Sequence, residues 1–147
     1  MHVTEKIKVI SGKSVKPITD KHKQVIDKLE LMLEKGIPDL TMSELAAKLK
    51  VSLRTLYEIA PSKDHLIRMT VNRILMKLGK EALDKIAEIN SPLEKLKKYL
   101  QHVNQAVGPR FKVYLQNLGN NIQSKEMIDY HEDYIISYTK ELLDDAM

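Results

Sequence analysis

The chain has 147 residues, of which 43% are hydrophobic and 30% are charged, and it contains no cysteine. This composition is typical of a folded globular protein, and it excludes disulfides, thiolate metal sites and cysteine nucleophiles. No apolar run is long enough to span a bilayer and the first residues lack a secretory signal, so we expect a cytoplasmic protein without a membrane partner.

The net charge is distributed unevenly along the chain. Residues 1–78 contain 15 Lys and Arg against 9 Asp and Glu, a net charge of +6, whereas residues 79–147 contain 9 against 11, a net charge of −2. A basic first half is suited to binding phosphates, although many domains that bind no nucleic acid show the same asymmetry. The charges alone therefore do not identify a partner.

Residues 1–18 form a predicted basic arm, with several lysines, little acid and no helical stripe of apolar residues. A solvated leader without a role and an arm that contacts DNA fit this segment equally well. The first helix is predicted over residues 20–35, because apolar residues recur there at spacings of three and four and Gly36 follows as a helix terminator.

Two short helices are predicted in tandem after this first helix. One covers residues 42–49 and begins with a capping box formed by Thr41 and Glu44, and the other covers residues 53–59 after the N-cap Ser52. Helices joined by so short a turn cross at a steep angle, which is the helix-turn-helix geometry that places the second helix in a DNA major groove. Residues 19–62 are therefore predicted to form a helix-turn-helix DNA-binding domain.

The remaining residues are also predicted to be helical. A linking helix over residues 63–78 follows the N-cap Ser62, and its apolar period continues past Gly79. The next helix starts at Pro92, with Ser91 and Glu94 as a capping box, and is expected to stop near residues 108–109. A further helix reaches residue 118, and the last runs from about residue 125 to the end. The predicted fold is all-α, with the helix-turn-helix domain joined to a C-terminal helical bundle over residues 63–147.

The side chains nearest to base edges are expected at the start of the third helix. Leu53, Arg54 and, in part, Thr55 are placed on its outer face. Arg54 is predicted to make a bidentate contact with guanine, and the alternative is a phosphate contact. Leu53 offers only an apolar contact, for example with a thymine methyl group.

Residues 20–75 resemble the DNA-binding domain of the TetR family of bacterial transcriptional regulators. The matching features are Lys35-Gly36, Thr41, Leu45-Ala46, Val51-Ser52, Thr55-Leu56-Tyr57 and Pro61-Ser62-Lys63 followed by Leu66. The resemblance implies that phosphate contacts come from Thr41, Ser52, Thr55, Tyr57 and Lys63. Capping by the serine and threonine hydroxyls is compatible with this role.

Two positions depart from the family pattern. Lys50 stands where the turn usually has glycine, and a left-handed lysine there would cost about 1 kcal/mol. Ala60 stands where an aromatic residue usually fills the core. The smaller side chain would lower the stability by a few kcal/mol unless Ile59 or a residue of the first helix fills the space.

By the same resemblance, residues 63–147 would bind a small-molecule effector and form a homodimer. The chain is short for the family, which indicates either a shortened chain or a different mode of dimerisation. Candidate pocket residues are His102, Tyr114, Tyr130, His131 and Tyr134, and ordinary packing is the alternative for each of them. Asp129, His131, Glu132 and Asp133 point in different directions on a helix, so no metal site or other cofactor is expected.

The sequence therefore predicts a transcriptional regulator, in particular a ligand-responsive repressor that binds a palindromic operator in double-stranded DNA. The alternative is an interaction protein that retains the fold without operator binding. An enzyme is not expected, because the chain has no glycine-rich phosphate loop, no nucleophile with a base at suitable spacing and no set of metal ligands.

Overall fold

The computed structural model describes residues 19–36 and 39–147, and within these ranges it contains six α-helices and no strand. The helices are α1 (Asp20–Glu34), α2 (Met42–Leu49), α3 (Leu53–Ile59), α4 (Lys63–Ile86), α5 (Pro92–Asn117) and α6 (Ile122–Ala146). The all-α prediction is confirmed, whereas the predicted basic arm over residues 1–18 lies outside the described residues. None of the helices in the described ranges is long and apolar enough to cross a membrane.

Side-chain caps define where the helices begin. The capping box at α2 is present in both directions, with Thr41 Oγ1 accepting from the Glu44 N–H and Glu44 Oε1 accepting from the Thr41 N–H, each at 3.1 Å. Ser52 and Ser62 accept from the third residue after them in the same way. These bonds satisfy donors that a helix cannot pair internally, which is why the predicted starts of α2, α3 and α4 are confirmed.

The capping box predicted before α5 is only half formed. Ser91 Oγ accepts from the Glu94 N–H at 3.4 Å, but the described hydrogen bonds include no return bond from the Glu94 carboxylate. That carboxylate lies 3.7 Å from Lys97 Nζ. The one bond from Ser91, with Pro92 in the first turn, is sufficient to begin the helix.

The predicted break near residues 108–109 is wrong, because α5 continues through Pro109 to Asn117. Proline removes one helical hydrogen bond and costs about 3 kcal/mol in a helix interior. Tyr99 before it and Tyr114 after it are fully buried against other helices. Burying a large side chain contributes about 1.5–3 kcal/mol, so two such contacts are enough to hold the helix together across the proline.

Two other helices are longer than predicted. Helix α4 passes Gly79 and ends at Ile86, beyond the predicted linking segment of 63–78, because Ala82 and Ile86 continue its buried stripe. Helix α6 begins at Ile122, where Asn121 Oδ1 accepts from the Ser124 N–H at 2.9 Å.

Helix α4 passes through both hydrophobic clusters of the described chain. The larger cluster contains Leu29, Leu45, Leu56 and Leu66 together with Tyr114 and Met127, so it joins the helix-turn-helix to the end of α5 and the start of α6. The smaller cluster packs the second half of α4 against α5 and α6. Ala60 is buried in the larger cluster, and the partly buried Ile59 packs against that cluster.

Candidate nucleic-acid interface

The turn between α2 and α3 is only three residues long and is closed by a left-handed residue. Lys50 has φ 58° and ψ 43°. Its N–H donates to the Ala47 carbonyl at 3.2 Å, and the Val51 N–H donates to the Ala46 carbonyl at 3.0 Å. This pair of bonds is the Schellman arrangement that ends many helices, usually with glycine in the left-handed position. Lysine therefore adopts the conformation expected of glycine here, at a cost of about 1 kcal/mol.

The outer face of α3 is open to solvent. The Arg54 side chain is 89% exposed, Leu53 is 39% exposed and Tyr57 is 51% exposed. Leu56 is completely buried on the opposite side. The short turn and the buried Leu56 thus orient α3 so that its first turn projects outward, as a helix that enters a groove must.

Thr55 does not share this exposed face, contrary to the orientation predicted from the sequence. It is 5% exposed, and its hydroxyl lies 2.9 Å from Ser52 Oγ. Residues two apart on a helix lie on opposite sides, so an outward Leu53 places Thr55 inward. Tyr57, four residues after Leu53, returns to the outer face.

A carboxylate that the sequence analysis did not single out lies beside Arg54. Glu58 Oε1 is 3.6 Å from Arg54 Nε, and Glu58 Oε2 is 3.1 Å from His22 Nε2 on α1. The spacing of four residues between Arg54 and Glu58 is a recognisable helical ion-pair signal. Nothing in the sequence indicated His22, because 36 residues separate it from Glu58.

Lys63 is likewise paired with a carboxylate. Its Nζ lies 2.5 Å from Asp39 Oδ1, and this hydrogen bond and the charge of Lys63 hold the pKa of Asp39 below its usual value. Thr41 lies exposed close by, and its backbone and side-chain hydrogen bonds lower the pKa of Glu44. The start of α2 and the start of α4 therefore form one charged cluster with two carboxylates that stay ionised at neutral pH.

Residues 29–69 match the family model described as bacterial regulatory proteins, tetR family. These residues therefore form a DNA-binding domain similar to that of the TetR family. The matched stretch contains α2, the turn and α3 completely, which is the part with the exposed Arg54. Among curated proteins and solved structures, none is significantly similar to this chain.

The matched domain supports a DNA-binding transcriptional regulator. The seven residues predicted to contact DNA differ in exposure. Thr55 is buried and Lys63 is half-buried, whereas the other five side chains are exposed.

The five residues predicted to line an effector pocket have different surroundings. His131 Nε2 lies 2.7 Å from Asn72 Oδ1, and the Tyr130 ring meets the His131 ring edge-on at 5.4 Å. Tyr134 stacks on Tyr138 with 6.2 Å between ring centroids. Tyr114 is buried in the larger cluster, and His102 Nε2 lies 3.9 Å from Glu81 Oε2. Burial lowers the pKa of His131 to about 4, which keeps that imidazole neutral at physiological pH.

Two cavities in the described part of the chain are lined by other residues. One, of about 330 Å³, lies between the helix-turn-helix and the end of α5, where Lys63 and Gln116 contribute to its walls. The other, of about 380 Å³, lies between the end of α5 and the start of α6. In residues 19–36 and 39–147, no three His, Asp or Glu side chains are grouped closely enough to hold a metal ion.

Proposed function

We propose that the protein is a ligand-responsive repressor that binds a palindromic operator as a homodimer, with α3 in the major groove. The observation that carries this proposal is the outward first turn of α3, where Arg54 is 89% exposed and Leu53 and Tyr57 share its face. A TetR-family regulator acts on the bacterial chromosome, so we place it in the cytoplasm.

Each exposed residue has a role that follows from its chemistry. Arg54 is our candidate for a bidentate contact with guanine, and Leu53 for an apolar contact with a thymine methyl group. Tyr57, Ser52 and Thr41 are candidates for phosphate contacts, with the α2 N-terminus at Thr41 adding its dipole and free N–H groups. Such contacts position the protein and leave sequence readout to Arg54.

Thr55 and Lys63 complete the proposed set of phosphate contacts. Thr55 is buried, so we propose that it acts indirectly. Its hydroxyl lies 2.9 Å from Ser52 Oγ and orients Ser52, which makes the phosphate contact. Lys63 already has Asp39 as a partner, and binding would exchange that carboxylate for a phosphate. The exchange costs little, because exposed ion pairs contribute only about 0.2–1 kcal/mol, whereas a phosphate contact also releases counterions.

A homodimer follows from the geometry of operators. Two-fold symmetric sites place their half-sites about one helical turn apart, which requires two recognition helices in one assembly. A single module of this size buries too little surface to bind both tightly and specifically. The similarity of the matched domain to the TetR family supports the same expectation.

The test is a binding titration on genomic DNA fragments at two salt concentrations. We expect preferred sites, which Arg54→Ala should make less distinct. Lys63→Ala should lower the slope of log affinity against log salt by about 1, because one phosphate contact is lost. Lys80→Ala, which removes an exposed lysine on α4, is the matched control and should leave the slope unchanged.

The second candidate function is an interaction protein that keeps the fold without operator binding. It is favoured by the carboxylates that already neutralise Arg54 and Lys63. Binding that is indifferent to sequence, with the same salt slope in wild type and both variants, would establish this candidate and contradict the repressor.

A further inference from the structure

The cavity between the helix-turn-helix and the end of α5 combines an apolar floor with a polar rim. Half-buried Leu40 supplies the accessible apolar surface of this lining, and Leu45 and Ile67 are almost completely buried beneath it. The rim carries the ion pair between Asp39 and Lys63. A volume of about 330 Å³ lies at the lower end of the range for small-molecule sites.

The opposite wall consists of two amides with unused hydrogen-bonding capacity. Asn117 Nδ2 donates to the Val113 carbonyl at 2.8 Å, which leaves Asn117 Oδ1 as an acceptor. The Gln116 side chain makes no hydrogen bond with any other described residue. The lining therefore contains one anion, one cation and two amides, and its net charge is zero.

Charge balance decides what such a lining binds best. A simple anion would compete with Asp39 for Lys63 and leave that carboxylate without its partner, and a simple cation would do the same to Lys63. A molecule that carries both charges gives each member of the pair a new partner. The apolar floor adds a preference for an aliphatic or aromatic substituent.

We propose that this cavity binds a small zwitterion of the apolar α-amino acid type, whose carboxylate pairs with Lys63 and whose ammonium group pairs with Asp39. Its side chain packs on Leu40, and Gln116 contributes a hydrogen bond at the rim. The regulatory consequence rests on the function proposed above. Since Lys63 is a proposed phosphate contact, a bound carboxylate competes with the DNA backbone for it and weakens operator binding.

The site is tested first on the free protein by calorimetric titration with L-leucine and L-phenylalanine. Two analogues of leucine each lack one of its charged groups: 4-methylpentanoate lacks the ammonium group, and 3-methylbutylamine lacks the carboxylate. We expect at least one of the amino acids to bind, and each leucine analogue to bind about two- to fivefold more weakly than L-leucine, because one exposed ion pair is missing. Equal affinities for L-leucine and one of these analogues, or no binding of either amino acid at millimolar concentration, would overturn the proposal.

Variants locate the binding in this cavity. Lys63→Gln and Asp39→Asn should each weaken amino acid binding about two- to fivefold, because each removes one exposed ion pair. Lys80→Gln on the exposed side of α4 is the matched control for Lys63→Gln and should bind as wild type does. Unfolding curves verify that the surface variants fold. Wild-type affinity in both charge variants would place the ligand elsewhere and refute the site.

The DNA arm of the experiment separates the two proposals. With saturating amino acid, the salt slope of DNA binding should fall by about 1, the same change that Lys63→Ala produces. Amino acid binding with an unchanged slope keeps the site and refutes its regulatory role. A protein that binds the amino acid but shows no site preference on DNA keeps the site and refutes the repressor.

Discussion

Glu58 offers the most direct test of how α3 is used, because it is the only carboxylate among the described residues that pairs with Arg54. At the observed 3.6 Å, two unit charges in water attract by about 1 kcal/mol, and exposure and salt reduce the contribution of a helical pair to about 0.3–0.5 kcal/mol. Glu58→Gln preserves the shape of the side chain and removes this attraction. It also removes a negative charge that would face the DNA backbone. We therefore expect DNA affinity to rise about two- to fivefold, with a salt slope that is steeper by up to about 0.9.

The assay is fluorescence anisotropy with a labelled duplex at several salt concentrations. Glu126→Gln, an exposed carboxylate on α6, is the matched control and should change neither quantity. Weaker binding by Glu58→Gln would refute the reasoning. It would mean that the carboxylate itself contacts the DNA, for example by accepting from a cytosine amino group.

Three further predictions concern stability, measured by urea unfolding. The pKa of His131 is about 4 in the folded protein and about 6.5 in the unfolded chain. On acidification the unfolded chain is therefore protonated at a higher pH than the folded protein. The stability from neutral His131 is fully present above pH 6.5 and falls by roughly 3 kcal/mol towards pH 4, a loss that His131→Gln should remove. Gly119→Ala should destabilise by about 1–3 kcal/mol, because a Cβ there would overlap the Asp64 carboxylate; in contrast, Gly79→Ala meets no atom within 4 Å and should stabilise α4 by about 0.5–1 kcal/mol. Lys50→Gly should stabilise by up to about 1 kcal/mol by relieving the left-handed lysine, and a loss of stability would contradict that strain.

The starts of the helices could be predicted from the sequence because a cap acts over three residues. Thr41, Ser52 and Ser62 each accept from a backbone N–H in the first turn that follows them, whatever the rest of the chain does. The helix-turn-helix and the exposure of Arg54 follow from these short-range signals and the apolar period. The continuation of α5 through Pro109 could not be predicted in this way, since local propensity opposes it.

The amino-acid sequence by itself determined the helix caps, the short turn between α2 and α3 and the outward start of α3, because each depends on residues within one or two turns of one another. Only the tertiary structure decided the long-range partners of Glu58 and Lys63, whereas the pair of Arg54 and Glu58 is local. The contacts of Glu58 with His22 and of Lys63 with Asp39 span 36 and 24 residues. Such contacts exist only after α1, α3 and α4 have packed around the shared core, and no local pattern encodes where those helices meet.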